Sequence, residues 1–419
     1  MRKIFFQKGF VALFIAILVL ALIFAIGLSI TLLTLGQQSI VGNITKSTQA
    51  YFTAEAGMED ALLRLVKVKN WSSPYIFSVG DSSATVEISE AIGGARTITT
   101  TGDLLNRIRK VQAVYEISTD EVSFYYGVQA GDGGIVMANN SKIHGNIFSN
   151  GDISGDKGQI DNNVIVSGHH QINISGGTIG GDALVYDCTA ANIAGKLTYV
   201  NSNSCTVGGA IQQQADEIDP VSLPIPQSQI DEWKTKAAAG NGGVPIATDV
   251  TISGTQSLGA VQIGTPASPK NLTVNGTLNI TGTIYVTGNI TFNGTTRLDS
   301  SYGSYGGVIF ADGTIYVENG AIVNGSGQAG SYLLALSTNN SLDPANPAID
   351  VRNNAGGSIF YTTSGLIYLK NNMSAREITG YKVQIQNNAE VWYESGLEDA
   401  MFSSGTGGAW IVSDWTEVE

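Results

Sequence analysis

The side chains best suited to proton transfer in this sequence are three histidines and a run of nearby aspartates. Asp152, Asp156 and Asp161 lie close in sequence to His144, His169 and His170. Paired carboxylates at a fixed separation hydrolyse glycosidic bonds, and acidic calcium ligands beside a proton acceptor support elimination. These aspartates, however, sit among Gly and Asn, in turn positions where Asp recurs for backbone reasons. A repeat over residues 272–295 contains no Asp, Glu, His, Lys or Arg, so that stretch offers no acid–base pair. We therefore expect no catalytic residue, no metal site and no cofactor. The sequence has no GxGxxG before a helix, no GxxxxGK followed by Ser or Thr, and no HExxH. With 3 His and 2 Cys it is also too poor in ligands for an ordinary zinc site.

Binding chemistry is better represented. Tyr302, Tyr305, Trp392 and Tyr393 occur among Asn and Thr, and Tyr316, Tyr361, Tyr368 and Tyr381 extend the set. Aromatic faces beside amides and hydroxyls are the groups that contact sugars or protein surfaces. Core packing competes for the same residues, because several alternate with aliphatic side chains. Cys188 and Cys205 are the only cysteines and lack the CxxC spacing of a reactive pair. In an exported chain they are expected to form a disulfide, worth about 3 kcal/mol in the chain-entropy picture.

The elements that hold these groups follow from composition. The chain has 419 residues, 43% of them apolar, enough for two or three domains with real cores. Charged residues are only 14%, whereas Gly reaches 51 and Asn 30, which suits many short strands joined by tight turns. With 22 basic against 35 acidic residues and a net charge of −13, nothing here favours a nucleic-acid partner.

Residues 10–45 carry no charge, and residues 10–35 are almost continuously apolar. As a helix those residues span roughly 39 Å, more than the roughly 30 Å bilayer core requires. Arg2, Lys3 and Lys8 precede the segment and the next basic residue is Lys46, so the leader is expected in the cytoplasm and the remainder outside. The apolar run is too long for a conventional secretory signal.

The basic leader ending in Lys8-Gly9-Phe10 before a hydrophobic helix resembles the type III signal of type IV pilin-like proteins. The segment from Tyr51 to Leu62, YFTAEAGMEDAL, resembles that of minor pilins of the PilX type. The resemblance covers about the first 120 residues. It implies cleavage between Gly9 and Phe10, a methylated Phe10, and packing against other pilin-like subunits. One departure stands out: pilin families carry Glu at the fifth mature position, where Phe14 stands here. In those families its loss marks subunits at a filament tip or at the start of assembly. Phe52, Met58, Leu62, Leu65 and Val66 approximate the apolar stripe by which the helix docks.

Residues 84–118 alternate as a three-stranded meander. Residues 272–295 then read LTVNGT LNITGT IYVTGN ITFNGT, with Leu or Ile, a second apolar residue and Gly each recurring every six positions. Hexads that each supply one side of a coil make a β-solenoid, or parallel β-helix, whose core closes when coils stack. The pairs Asn353-Asn354, Asn371-Asn372 and Asn387-Asn388 recur near three hexads, as a corner ladder with amides bonding between coils.

The expected fold class is mainly β: a long N-terminal helix, a small antiparallel meander, then the solenoid. The expected boundaries are a leader at 1–9, the helix over 10–83 and the meander over 84–121. A first solenoid part follows at 122–215, a linker with a short helix at 216–245, a second part at 246–395 and a cap at 396–419. Ile230 and Trp233 of the linker helix should face inward, and Trp410 and Trp415 should cover the last coil. The expected role is a non-catalytic structural or adhesive surface protein, a minor or tip subunit of a pilus-like filament, with glycans or proteins as ligands. A membrane-anchored carbohydrate-active enzyme and a self-assembling scaffold are the rivals.

Overall fold

A computed structural model describes residues 8–66, 73–89, 95–117, 119–122, 124–398, 400–403 and 410–418. The chain is a long N-terminal helix followed by a β-rich region of many strands, and it divides into two compact units.

In the first unit, helix α1 (Lys8–Val66) runs unbroken for 59 residues. Its apolar half is exposed along its length, with Leu20 and Phe24 each at 71%. The few hydroxyls there turn inward on the helix itself. Ser29 donates to the Ala25 carbonyl at 2.8 Å, Thr31 to Gly27 at 2.9 Å and Thr34 to Ile30 at 2.9 Å. No side-chain hydroxyl of that trio depends on water, which is the condition for a helix in hydrocarbon. Among the described residues this is the one helix long and apolar enough to cross a membrane.

The second half of α1 packs on an antiparallel sheet through Ala50, Thr53, Ala54, Met58 and Ala61, all buried. This corrects the expected stripe: Phe52 is 60% exposed and Leu62 and Leu65 are half-buried, because small residues let the helix approach more closely than large ones. The approach is tight enough that a Cβ at Gly102 would lie 2.1 Å from the Ala50 carbonyl. The sheet is β1 (Tyr75–Val79), β2 (Ser82–Ile88), β3 (Ala95–Leu104) and β4 (Arg107–Ile117), with the C-terminal strand Trp410–Val418 beside β4. It therefore starts earlier than the expected meander and has more strands. Residues 410–418 belong to it instead of covering a last coil, and Trp415 is 38% exposed.

In the second unit, short strands pair in parallel along three ladders. Leu272 aligns with Ile290 in the first, Leu278 with Thr296 in the second, and Ile284 with Ile309 in the third. Alternation sends Leu272, Val274, Leu278, Ile280, Ile284 and Val286 into one core, where all are fully buried. Glycine is needed where one turn lies directly on another: a Cβ at Gly294 would meet the Gly276 carbonyl at 2.1 Å. Asn354, Asn372, Asn388 and Asn140 all have φ near +58°, the left-handed region that Asn tolerates. Their amides are exposed, and the side-chain ladder runs at another corner. Asp249 accepts from the Asn271 backbone N–H, Asn271 from Asn289 and Asn289 from Thr314, at 2.8, 2.8 and 2.9 Å.

The ladders cross a break in sequence order, although the backbone itself is continuous. Ile378 pairs with Val128, Val383 with Ile135 and Val391 with Ile143. Residues 128–213 thus stack after residues 246–392, the reverse of their order in sequence. Helix α2 (Gln227–Ala239), in the connecting segment, buries Ile230, Trp233 and Ala237. It does so on the outer side of the third ladder, with Tyr285, Phe310, Leu334 and Tyr361. Both faces of that ladder are apolar because both are covered.

The far edge is stapled. Strands Thr206–Val207 and Ile211–Gln213 each pair on one side among the described residues, and Ile211, in register with buried Leu197, is 55% exposed. Cys188 and Cys205 form a disulfide there, with Cα atoms 5.7 Å apart. Replacing both cysteines by serine should cost about 3 kcal/mol. Hydrogen exchange should show protection lost first over residues 197–213, with residues 272–311 unchanged.

Candidate functional site

Of the four aromatic residues expected to bind ligand, the structure leaves one on the surface. Tyr302 is fully buried in the main core, where burial pushes its phenol well up. Tyr305 packs partly buried against the same core. Tyr393 packs against the second apolar cluster and donates its hydroxyl to the Phe124 carbonyl at 2.6 Å. These three are structural: none lies on a strand, Tyr302 ending a short turn over Ser300–Tyr302, and each fills space against apolar neighbours. Trp392 is 43% exposed. It lies flat on His144, with ring centroids 3.7 Å apart and planes at 19°, and its indole N–H donates to Glu390 at 3.0 Å. His144 Nδ1 lies 2.6 Å from Asp161 Oδ2. Strand register creates this arrangement, since Trp392 and His144 are partners across the break in sequence order.

Beside Asp161 runs a shallow depression of about 430 Å³ over the second ladder. Gly180, Ala194 and Gly208 leave it open, and Gln159, Thr178, Asn192 and Thr206 supply amides and hydroxyls. Asp161 is the single titratable residue lining it. Such a surface can donate and accept hydrogen bonds and make van der Waals contact; its one carboxylate, Asp161, is already engaged by His144.

The histidines and acids are dispersed. His144 pairs with Asp161 at 2.6 Å, His170 with Asp152 at 3.1 Å and His169 with Glu217 at 2.7 Å. His169 also stacks on Tyr186 at 4.4 Å. Asp156 is exposed and joins none of these pairs. Each imidazole therefore has its own carboxylate, supplied by another stretch of chain. Among the described residues, no group of three or more His, Cys, Asp or Glu side chains is placed to hold a metal ion.

Two features become visible as clusters only in the structure. One is a charged and aromatic patch on the first ladder, where register brings two of the candidate aromatics, Tyr316 and Tyr368, to either side of Asp350. The other is Glu377, fully buried where residues 128–213 join the stack. Its Oε1 accepts from the Thr379 hydroxyl at 2.5 Å and its Oε2 has no partner. Burial holds this carboxyl well above the usual range, against the smaller opposing effect of the Thr379 hydrogen bond.

No protein-family model matches the chain, and no curated protein does. Among solved structures, it is similar to the competence-associated pilin ComZ from Thermus thermophilus, at 11% identity and a TM-score of 0.26. That likeness covers 89% of this chain and 98% of the other. It is also similar to an ice binding protein from an Antarctic bacterium, Flavobacteriaceae, at 13% identity and a TM-score of 0.20, over 63% and 80% of the two chains. Scores this low carry no argument about shared fold or function.

Glu377 generates a pH prediction. An acid whose folded pKa is raised above its unfolded value of about 4.3 binds more protons when folded, so stability falls as pH climbs from there toward the folded value. Glu377→Gln should therefore melt at a higher temperature than the wild type at pH 8, with the gap closing toward pH 4. Parallel curves at all pH values would contradict the assignment.

Proposed function

We propose that this chain is a non-catalytic surface protein, held in a membrane by residues 10–35 and projecting a β-solenoid outward as a structural or adhesive element. The observation that carries the reading is the exposed apolar length of α1, whose hydroxyls are satisfied within the helix. The solenoid reading is supported by three parallel ladders, the first two of which return to register eighteen residues later over residues 272–298. The non-catalytic reading is supported by the dispersal of the carboxylates into separate histidine pairs.

Within this proposal the chain is a minor or tip subunit of a type IV pilus-like filament, with other pilin-like subunits as partners and a single-pass, extracytoplasmic topology. The support is the Lys8-Gly9-Phe10 junction, the long apolar helix on which Phe10 lies, and Phe14 in place of the usual Glu. A shaft subunit uses that Glu to neutralise a neighbour's terminal amine, and a carboxylate in hydrocarbon is costly without such a partner. A subunit with none ahead of it needs no such carboxylate.

Mass spectrometry of the native amino terminus tests the assignment. A mature chain starting at methylated Phe10 is expected, in a membrane or filament fraction. An intact leader in a membrane fraction would exclude pilin processing and keep the anchor; a freely soluble chain would overturn both. Phe14→Glu should move the protein toward incorporation along filament shafts, read as more copies per filament length by immunogold labelling.

A further inference from the structure

We infer that the outer side of the first ladder, around Tyr316, Asp350 and Tyr368, binds an uncharged polysaccharide. The inference rests on the adhesive reading above and names its ligand class.

The middle residue of each strand in this ladder points outward. Over Val250–Ile252, Leu272–Val274 and Ile290–Phe292 it is Thr251, Thr273 and Thr291. The next three partners in register are Tyr316, Asp350 and Tyr368. A column of small hydroxyls thus gives way to two rings with a carboxylate between them. Asp350, although on the outer side, is 3% exposed. It is held by Arg352 Nε at 3.0 Å and by Lys370 Nζ at 2.9 Å, and Arg352 also reaches both oxygens of Glu318 at 2.7 Å. The same two cations lie against the rings: Arg352 is 5.5 Å from the centroid of Tyr316, and Lys370 is 5.5 Å from that of Tyr368.

Stability alone is a poor account of this network. Threonine serves the same position on neighbouring rungs, and a buried ion pair often gains nothing over an uncharged packing because of its desolvation cost. What the network does accomplish is orientation. Two strand spacings place the tyrosine backbones roughly 9.6 Å apart, a separation comparable with the length of a disaccharide. Each ring is held by a cation before any ligand arrives, which lowers the ordering cost of binding. Aromatic rings receive the C–H faces of sugars, while Asp, Glu and Arg heads bond hydroxyls. Charge selects the class: two carboxylates balance two cations in the patch, and the chain carries −13 overall, so an anionic polymer is repelled.

The test is native affinity electrophoresis of the full chain in detergent micelles, in gels containing hydroxyethylcellulose, galactomannan, dextran or alginate. At least one of the three neutral polymers should retard the wild type, and alginate should not. Tyr316→Leu with Tyr368→Leu keeps apolar bulk and should weaken retardation at least tenfold, whereas Tyr316→Phe with Tyr368→Phe should retain it. Circular dichroism melts confirm that each variant is folded. No retardation by any neutral polymer, retardation by alginate alone, or full binding by the leucine variant would overturn the inference. If Trp392→Ala abolishes binding while the leucine variant retains it, the sugar site belongs to Trp392; the adhesive reading then survives and this patch does not.

Discussion

Away from its two edges, each strand in the stacked unit depends on backbone hydrogen bonds to a neighbour on each side, because strands of three or four residues cannot persist alone. The break in sequence order is where this dependence is most exposed. Residues 128–144 find their partners in residues 378–392, synthesised some 250 residues later. The pairings Ile378 with Val128 and Trp392 with His144 continue the ladders as though the sequence order were unbroken. Glu377 is buried beside this junction, and the Trp392, His144 and Asp161 group straddles it.

A topological constraint explains why the stack begins in its middle. The β-rich unit is inserted between β4 and the C-terminal strand, which are neighbours in one small sheet. An insertion of that kind is best served by termini that lie together. A stack wound from one end to the other would part them by its whole length. Here the entering and leaving segments, Thr119–Glu121 and Met401–Ser403, pair antiparallel with each other. The cost is a long return from one end of the stack to the other. α2 anchors that return by burying Ile230 and Trp233, with Lys234 bonded to Asp312 at 2.7 Å.

The regular core determines where chemistry can be placed. Inward positions take aliphatic and aromatic side chains without regard to function, and Tyr302, on the short turn Ser300–Tyr302 that follows a strand of the second ladder, is drawn into the same core. Outward positions form columns at a fixed spacing, so ligand-facing groups arise by register between residues distant in sequence. Tyr316 and Tyr368 share a column, and so do Trp392 and His144, yet neither pair is marked by any local motif. The histidines show the same effect, since His169 meets Glu217 instead of a nearby aspartate.

Local chemistry alone determined the uncharged helix over residues 10–35, the six-residue alternation of Leu or Ile with Gly, the inward face of α2 at Ile230 and Trp233, and the pairing of the two cysteines. Each depends on neighbours within a turn, a strand or a short loop, or on there being one possible partner. Tertiary structure decided that Ala50 and Ala54, not Phe52, join the expected Met58 against the sheet, because closeness of approach outweighs side-chain size there. It also decided that residues 128–213 follow residue 392 in space and that residues 410–418 close the small sheet. A strand edge accepts any strand that offers matching backbone groups, so the choice among distant partners is made only when the whole chain packs.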